Sequence, residues 1–392
     1  MDASLYIHIP VCLRKCDYCD FFSVPVHQFL HTNDGTNPFF SLVDGLRQEI
    51  AFRQKELSID GWKTVYIGGG TPSLLPPDTI RYLCQGIDVL PSSLTSGEWT
   101  IEANPEDISS DWLIACKEAG INRLSLGIQS MQDLLLTGIG RRGSRESNLE
   151  ALQLVKKHWK GRLSLDLISG LPNQTIELMQ QDIAEILLFK SDHISLYSLT
   201  IEDGTPLEQR ISKSSTPLLP DEDEATEIWI AGKNMLETHG YRQYEVSNFS
   251  LPGFESMHNR TYWNMDTYIG TGPGATGTVI VGDKAYRNVN TQNIDKWRNN
   301  PVNSYTTEPI GRTECIQEFL LMGMRLSSGI SRNRFKNRFK EDILDMIEKT
   351  ARAWQGRGFL IIKEDTIALT PDGMLFLNRF LVDCMEEICK KS

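Results

Sequence analysis

The sequence has no excess of positive charge: 40 Lys and Arg stand against 51 Asp and Glu, a net charge of −11. An acidic chain of this kind is a poor partner for the nucleic-acid backbone, which rewards clustered Lys and Arg. No apolar run approaches the roughly 20 residues that a membrane span needs, so no stable membrane insertion is expected. No basic stretch with an apolar core precedes Tyr6, so no signal peptide is expected. Internal repeats and low-complexity tracts are missing as well. Cysteine is sparse: eight in 392 residues is too few for a disulfide scaffold. A reduced, cytoplasmic setting is expected, and there clustered thiols read as metal ligands.

What is present is a sizeable core and an α/β rhythm. Hydrophobic residues make up 40% of the chain, and its length suits two or three domains, or one large barrel with a smaller unit. Short β-rich runs fall at Leu5–Pro10, Thr64–Ile67, Trp99–Ala103, Arg123–Ile128, Leu163–Ile168 and His193–Thr200. Helix-like stretches lie between most of them. One is Asp111–Ala119, with Asp111 at the cap. Another is Thr175–Lys190, with Met179, Ile183, Ile186 and Leu187 on one face. Strands alternating with helices mean βαβ units and a parallel sheet. Six repeats, not eight, predict an open or partial (β/α)6 barrel.

Lys213–Glu224 (KSSTPLLPDEDE) is polar, acidic and Pro-containing, and reads as a linker or exposed loop. Gly240–Gly277 is rich in Gly, Asn, Tyr and Trp and reads as irregular and site-like. Glu314–Leu326 and Arg334–Gln355 look helical, Gly358–Leu369 looks like two short strands around a turn, and Thr370–Cys389 returns to helix. That order predicts a small C-terminal helical, winged-helix-like domain. No basic recognition helix accompanies it, so DNA binding is not inferred. The expected division is a core domain over 1–240, a site-bearing segment closing the barrel over 241–305, and the C-terminal domain over 306–392.

The densest chemical signal is LYIHIPVCLRKCDYCDFFS, where Cys12, Cys16 and Cys19 follow a strand-like run with C-x3-C-x2-C spacing. Three thiolates cannot close a structural zinc site, which takes four ligands. His8 would complete a Cys3His site, but it lies inside the strand-like run and the thiols are tightly spaced. A [4Fe–4S] cluster is held by Cys thiolates, normally four; three leave one iron open to an exogenous ligand. The remaining cysteines, Cys84, Cys116, Cys315, Cys384 and Cys389, are scattered and read as core or inert.

Other motifs follow in order. YIGGGTPSLL (Tyr66–Leu75) comes after a strand. One Gly would make a tight turn there; three with Thr-Pro favour backbone that approaches a ligand. IEANPED supplies Glu102, LSLGIQS supplies Gln129, TGIGRRG supplies Arg141, and LSLDLISGLPNQT supplies Asp166. Each alone is as readily a surface turn residue. In barrel-like α/β proteins, however, polar residues at the C-terminal ends of strands converge on the site. HNRTYW (His258–Trp263) offers an imidazole beside two flat aromatic faces, although alone such residues more often serve packing.

The thiol spacing, with Tyr18 before the third Cys, resembles that of radical S-adenosylmethionine (SAM) enzymes. The ordered motifs over nearly the whole chain resemble the family of oxygen-independent coproporphyrinogen III oxidase and its relative, the haem chaperone. The resemblance implies a [4Fe–4S] cluster on Cys12, Cys16 and Cys19. It implies SAM held among Tyr6, Tyr18, Gly69, Gly70, Thr71, Glu102, Gln129, Arg141 and Asp166, with Phe21 packing near the cluster. Glu102 and Asp166 would hold the SAM amine or ribose, and Arg141 its carboxylate. The oxidase carries a further Cys two residues after the third, where this chain has Phe21, and a long extension before the first Cys, here Cys12. Near Arg141, where relatives often have His, this chain has Gly143. HNRTYW matches the H-N-x-x-Y-W pattern linked to haem in the chaperone branch. It implies His258 as an axial ligand, with Tyr262 and Trp263 against the porphyrin.

The resemblance thus implies a haem chaperone that binds haem, the cluster and SAM, and passes haem to an acceptor protein. SAM and the cluster would gate transfer or dimerisation, and a homodimer is compatible with this. The alternative is an oxygen-independent coproporphyrinogen III oxidase. As a catalyst the chain would then be a coproporphyrinogen dehydrogenase-type oxidoreductase, removing CO2 from a porphyrinogen propionate by radical chemistry. A zinc-stabilised interaction module is a third reading.

Overall fold

The computed structural model describes residues 1–29, 37–90, 97–214 and 218–391. Six parallel strands, β1 (Ala3–Ile9), β2 (Trp62–Gly69), β3 (Glu98–Ala103), β4 (Arg123–Gln129), β5 (Arg162–Ser169) and β6 (His193–Ser198), lie in sequence order. The expected six-repeat open barrel is what forms. Crossover helices α1 (Pro38–Glu56), α2 (Pro77–Cys84), α3 (Ser110–Glu118), α4 (Arg145–His158) and α5 (Ile176–Leu187) cover the outer face.

Each strand alternates in chemistry. Leu5, Ile7 and Ile9, Val65 and Ile67, and Leu124, Leu126 and Ile128 face the helices and are fully buried. The opposite face carries Tyr6 and His8, Thr64 and Tyr66, Glu102, Ser125, Ser164 and Asp166, then His193 and Ser195. Central parallel strands usually read as continuous apolar runs because both faces are buried in hydrocarbon. Here the polar face lines a lumen.

Local signals set several element ends. The stretch expected from Thr175 forms α5, and Thr175 caps it, its side chain accepting from Leu178 N–H. The cap of α3 is Ser109, not Asp111: Ser109 Oγ accepts from Trp112 N–H at 3.2 Å. The segment KSSTPLLPDEDE is also not loop throughout. Asp221 forms a capping box with Glu224 and opens α6 (Glu222–Thr238), whose acidic first turn complements the exposed N–H groups. Residues 215–217 of that segment lie outside the described residues.

Beyond β6 the chain lengthens the sheet at both edges and leaves the sheet itself open. On one side are β7 (Arg242–Gln243) and β8 (Asn248–Ser250). On the other, β9 (Tyr268–Thr271) pairs with β1 in parallel, followed by β10 (Thr276–Val281), β11 (Lys284–Asn290) and β12 (Tyr305–Ile310). Among the described residues this is one twelve-stranded sheet with unpaired edges β12 and β7. Between β8 and β9 a short helix, α7 (Met257–Trp263), crosses the N-terminal ends of β1–β3.

The C-terminal region builds a second core around Phe319, Phe335, Phe339, Trp354 and Phe380. It comprises α8 (Arg312–Gly323), α9 (Arg332–Phe339), α10 (Glu348–Gly356) and α11 (Leu377–Lys391). A three-stranded sheet joins them: β13 (Ile330–Ser331), β14 (Leu360–Ile362) and β15 (Thr366–Leu369). Arg334 ties it to the end of α7 through Asn264 O at 2.6 Å and Asp266 at 2.7 Å.

Candidate functional site

At the C-terminal end of β1 the chain turns through Pro10 into a loop that carries the three thiols. Val11–Cys12 pairs with Val24–Pro25, which returns the loop on itself. Cys12 is buried, Cys16 and Cys19 are half-buried, and all three are free. Cys19 N–H donates to Cys16 O at 3.2 Å. Asp17 clamps the loop to the rest of the barrel: its N–H donates to Ile139 O, its carbonyl accepts from Leu207 N–H, and its carboxylate lies 3.4 Å from Arg210. His8 does not join the thiols. Its Nε2 donates to Phe22 O at 2.9 Å and its Nδ1 accepts from Tyr6 OH at 3.0 Å, which removes it as a fourth metal ligand.

A hydrogen-bonded arc links two of the cysteines. Thr71 Oγ1 donates to Cys12 Sγ at 3.3 Å, and Asn104 Nδ2 donates to Thr71 Oγ1 at 3.4 Å. Arg141 Nη2 donates to Asn104 Oδ1 at 3.1 Å and to Gly127 O at 2.6 Å, while its Nη1 reaches Cys16 Sγ at 3.7 Å. Burial pushes the Cys19 thiol up to about 11. Thiols of this kind become thiolates when a metal takes up their charge. Among the described residues no three His, Cys, Asp or Glu side chains converge as the ligands of one metal ion would. A four-iron cubane, which holds its thiolates apart at separate corners, fits this donor set.

The other residues expected around SAM are spread along the lumen between the thiol loop and the α7 end, with Tyr6 and Glu102 near Tyr262 and Tyr268. Part of the glycine run is explained by packing. Gly69 has φ +110°, and a Cβ there would meet the His8 ring at 2.6 Å; one on Gly70 would meet Val11 O at 2.6 Å. Gly69 N–H donates to Glu102 Oε2 at 3.3 Å, and Tyr66 OH donates to Oε1 at 2.7 Å. Burial pushes the Glu102 carboxyl up to about 7, and the neighbouring Asp166 adds to this. Asp166 accepts from three serines on three strands: Ser195 at 2.6 Å, Ser125 at 2.9 Å and Ser164 at 3.2 Å. Gln129 ends β4 with φ +66° at an irregularity in the ladder. Tyr18 lies beside Arg141, Cys16 and Cys19. Phe21, expected to pack near the cluster, follows Cys19 in the same loop, its backbone N–H bonded to the Cys19 thiol and 64% of its surface exposed. Gly143 lies against the Glu106 side chain, which leaves no room there for a Cβ.

The other end of the lumen is closed by α7. Glu98, the first residue of β3 and 1% exposed, accepts from the backbone N–H of His258 at 2.9 Å, from Met257 N–H at 3.1 Å and from Ser256 Oγ at 3.2 Å. Arg123 stands 3.6 Å from it, also buried. His258 is fully buried. Its Nδ1 lies 2.7 Å from Thr64 Oγ1 and its Nε2 2.8 Å from Tyr262 OH. Burial pushes the imidazole down to about 3, so it is neutral. Tyr262 is half-buried and packs edge-on against Tyr268, with ring centroids 4.6 Å apart.

The structure brings His258 and Tyr262 together and parts Trp263 from them. On a helix, residues four apart share a face, whereas five apart are rotated by roughly 140°. Trp263 therefore turns away and lines a cavity of about 190 Å³ with Phe319, Leu326, Ile330 and Arg334. Two residues escape a reading of the sequence. Asn104 sits inside the IEANPED motif, yet nothing local shows that it joins Thr71 to Arg141. Glu98 precedes that motif, and its partner is 160 residues away.

Three thiols at the mouth of an open α/β barrel, with a polar lumen behind them, define a cluster-bearing barrel protein. Residues 6–186 match the Radical SAM superfamily, and residues 310–376 match the HemN C-terminal domain. The chain is 33% identical to "Heme chaperone HemW" of Bacillus subtilis, covering 96% of this chain and 97% of that protein. It is 31% identical to "Radical S-adenosyl methionine domain-containing protein 1, mitochondrial" of Bos taurus, covering 98% and 88%. In fold it is similar to coproporphyrinogen III oxidase (HemN) from Escherichia coli, with a TM-score of 0.79 at 20% identity, over 98% of this chain and 90% of that one. The chain belongs to the radical SAM family of oxygen-independent coproporphyrinogen III oxidase-like proteins, in the haem-chaperone branch. Membership implies a [4Fe–4S] cluster and SAM.

Proposed function

We propose that this protein is a haem chaperone that takes haem into the lumen above α7 and delivers it to an acceptor protein. The observation that carries this reading is the pair His258–Tyr262, held at the lumen floor by Glu98, at the end opposite the thiols. The full-length similarity to proteins named haem chaperones supports it, as does Phe21 where the oxidase has a further Cys.

Cys12, Cys16 and Cys19 would hold the cluster. Tyr6, Tyr18, Gly69, Gly70, Thr71, Glu102, Gln129, Arg141 and Asp166 would surround SAM. When bound, these groups supply one-electron chemistry at the barrel mouth. The chain's own residues then do three things. The Thr71–Asn104–Arg141 arc orients the cysteine loop. Glu102 and Asp166 provide acceptors for an amine or for hydroxyls. The apolar outer face packs the strands against the crossover helices and so fixes where the inner residues stand. We place residues 1–240 as the radical SAM core, 241–305 as the haem-bearing segment and 306–392 as the C-terminal domain, whose aromatic core is joined by Met265 and Ala285 of the middle segment. Eight free cysteines suit a reducing cytoplasm. Among the described residues no helix is long and apolar enough to cross a membrane.

The test is a haem titration of anaerobically reconstituted protein, followed at the Soret band. Binding of about one haem per chain, followed by its transfer to an apo haem protein, is the expected result. No stoichiometric binding, together with CO2 release from coproporphyrinogen, would replace this reading with the oxidase.

A further inference from the structure

Two loops meet side by side at the mouth of the barrel. After β3 the chain makes a short turn, Pro105–Asp107, and before α4 it runs through Arg141, Arg142 and Gly143. Three side chains of the first loop each meet one residue of the second. Asn104 Oδ1 accepts from Arg141 Nη2 at 3.1 Å, and the Asp107 carboxylate pairs with Arg142. Glu106 lies against Gly143: a Cβ there would stand 2.6 Å from Glu106 Cδ and 2.9 Å from its Cγ, closer than real contacts allow. Gly143 is not among the glycines with positive φ, so what its missing side chain provides is space. That space is the seat of the Glu106 carboxyl.

Asn104 and Asp107 are accounted for by the arginines they bind. Glu106 is not. Its Oε2 is enclosed and has no hydrogen-bond partner among the described residues. Its charge nevertheless reaches Arg141. Burial works against the Arg141 charge, and Tyr18, Cys16 and Glu106 around it outweigh burial. Of those three only Glu106 is a carboxylate, and its effect is coulombic. A charge enclosed by protein is screened much less than one on the surface, so it acts on whatever Arg141 holds.

We infer that Glu106, seated against Gly143 and beside Arg141, is a specificity-determining residue that favours a ligand with more than one cationic centre near its carboxylate. The inference rests on the placement of SAM at Arg141 proposed above. SAM carries one carboxylate and two cationic centres, an ammonium and a sulfonium. S-adenosylhomocysteine keeps the carboxylate and the ammonium and lacks the sulfonium charge. Glu106 acts alike on the end that the two ligands share. It weakens the hold of Arg141 on the carboxylate and strengthens the site for the ammonium, in both. The extra positive charge of SAM is the one difference, and an enclosed carboxylate attracts it over a distance that needs no direct contact.

The experiment is calorimetric titration of the anaerobically reconstituted full chain with SAM and, separately, with S-adenosylhomocysteine. The proteins are the wild type, Glu106→Gln, Gly143→Ala, the double variant and Arg141→Ala. The quantity read is the ratio of the two dissociation constants. In Glu106→Gln the preference for SAM is expected to fall about tenfold, equivalent to about 1.4 kcal/mol, at unchanged iron content. Gly143→Ala pushes the carboxyl out of its seat, so it is expected to lower the preference in the same direction. The double variant is then expected to be no worse than Glu106→Gln. A merely structural role would weaken both ligands alike and leave the ratio where it is. An unchanged ratio in Glu106→Gln, with binding lost in Arg141→Ala, would overturn the inference and leave the SAM placement standing. Wild-type affinity for SAM in Arg141→Ala would overturn both. Where Glu106→Gln takes up no cluster, the ratio in Gly143→Ala decides.

Discussion

The carboxylate of Glu98 receives the backbone N–H of His258 at 2.9 Å, across 160 residues of sequence. It supplies an acceptor where the first turn of α7 has N–H groups with no partner inside the helix. It also neutralises Arg123, which is 2% exposed. Replacing Glu98 by Ala leaves that guanidinium buried without a counter-charge and frees the start of α7. The expected cost is about 3–5 kcal/mol, with a smaller loss for Glu98→Gln. Urea denaturation measures it. A loss under about 1 kcal/mol, the size of a surface pair, would show that α7 is held by other contacts.

Cys12→Ser, Cys16→Ser and Cys19→Ser are each expected to lose most of the iron and sulfide taken up on anaerobic reconstitution. Cys389→Ser, on the exposed face of the last helix, is expected to retain both. Full iron in any one of the first three would remove that residue from the cluster.

Asn104 joins Thr71 to Arg141 and touches neither a thiol nor the lumen tyrosines in the hydrogen bonds described above. Asn104→Ala should leave the fold intact but remove one hydrogen bond each from Arg141 and Thr71, which keep Gly127 O and Cys12, at about 1–3 kcal/mol for the two. That loss is expected mainly in SAM affinity, measured by calorimetry on the reconstituted protein. Unchanged affinity would make the arc purely structural.

Gly69 and Gly86 both have positive φ, +110° and +78°, but only Gly69 is crowded. Gly86→Ala should cost about 1 kcal/mol from backbone strain. Gly69→Ala must also displace the His8 ring, which a Cβ would meet at 2.6 Å, so it should cost clearly more. Equal losses in denaturation experiments would show that the ring moves freely.

Burial pushes the Glu245 carboxyl from its ordinary 4.5 up to about 7, despite the nearby Asn248 and Arg325. Between those values the folded protein holds a proton that the unfolded chain has released, so this group lowers stability as pH rises through the window. Glu245→Gln removes the titration. Its stability relative to the wild type should increase from about pH 4.5 to pH 7 and level off above. A difference that is constant with pH would show that Glu245 titrates normally.

Much of the fold was legible because its signals are local. The six β-rich runs become β1–β6, the stretch from Thr175 forms a helix, and the C-x3-C-x2-C spacing puts three thiols in one short loop. The errors were also local. Ser109 outcompetes Asp111 as a cap, and PDEDE begins a helix because acidic residues suit a helix start as well as a loop. For the candidate residues, what the sequence left open was their arrangement.

By itself the sequence determined the thiol cluster, the strand-end polar residues and the α/β order, since each follows from spacing within a dozen residues. Only the tertiary structure decided that Asn104 bridges Thr71 and Arg141, that Glu98 holds α7, and that His258 stands behind Tyr262 while Trp263 turns away. Those relations depend on the register between strands far apart in sequence and on the rotation of one short helix. No periodicity within a single segment encodes either.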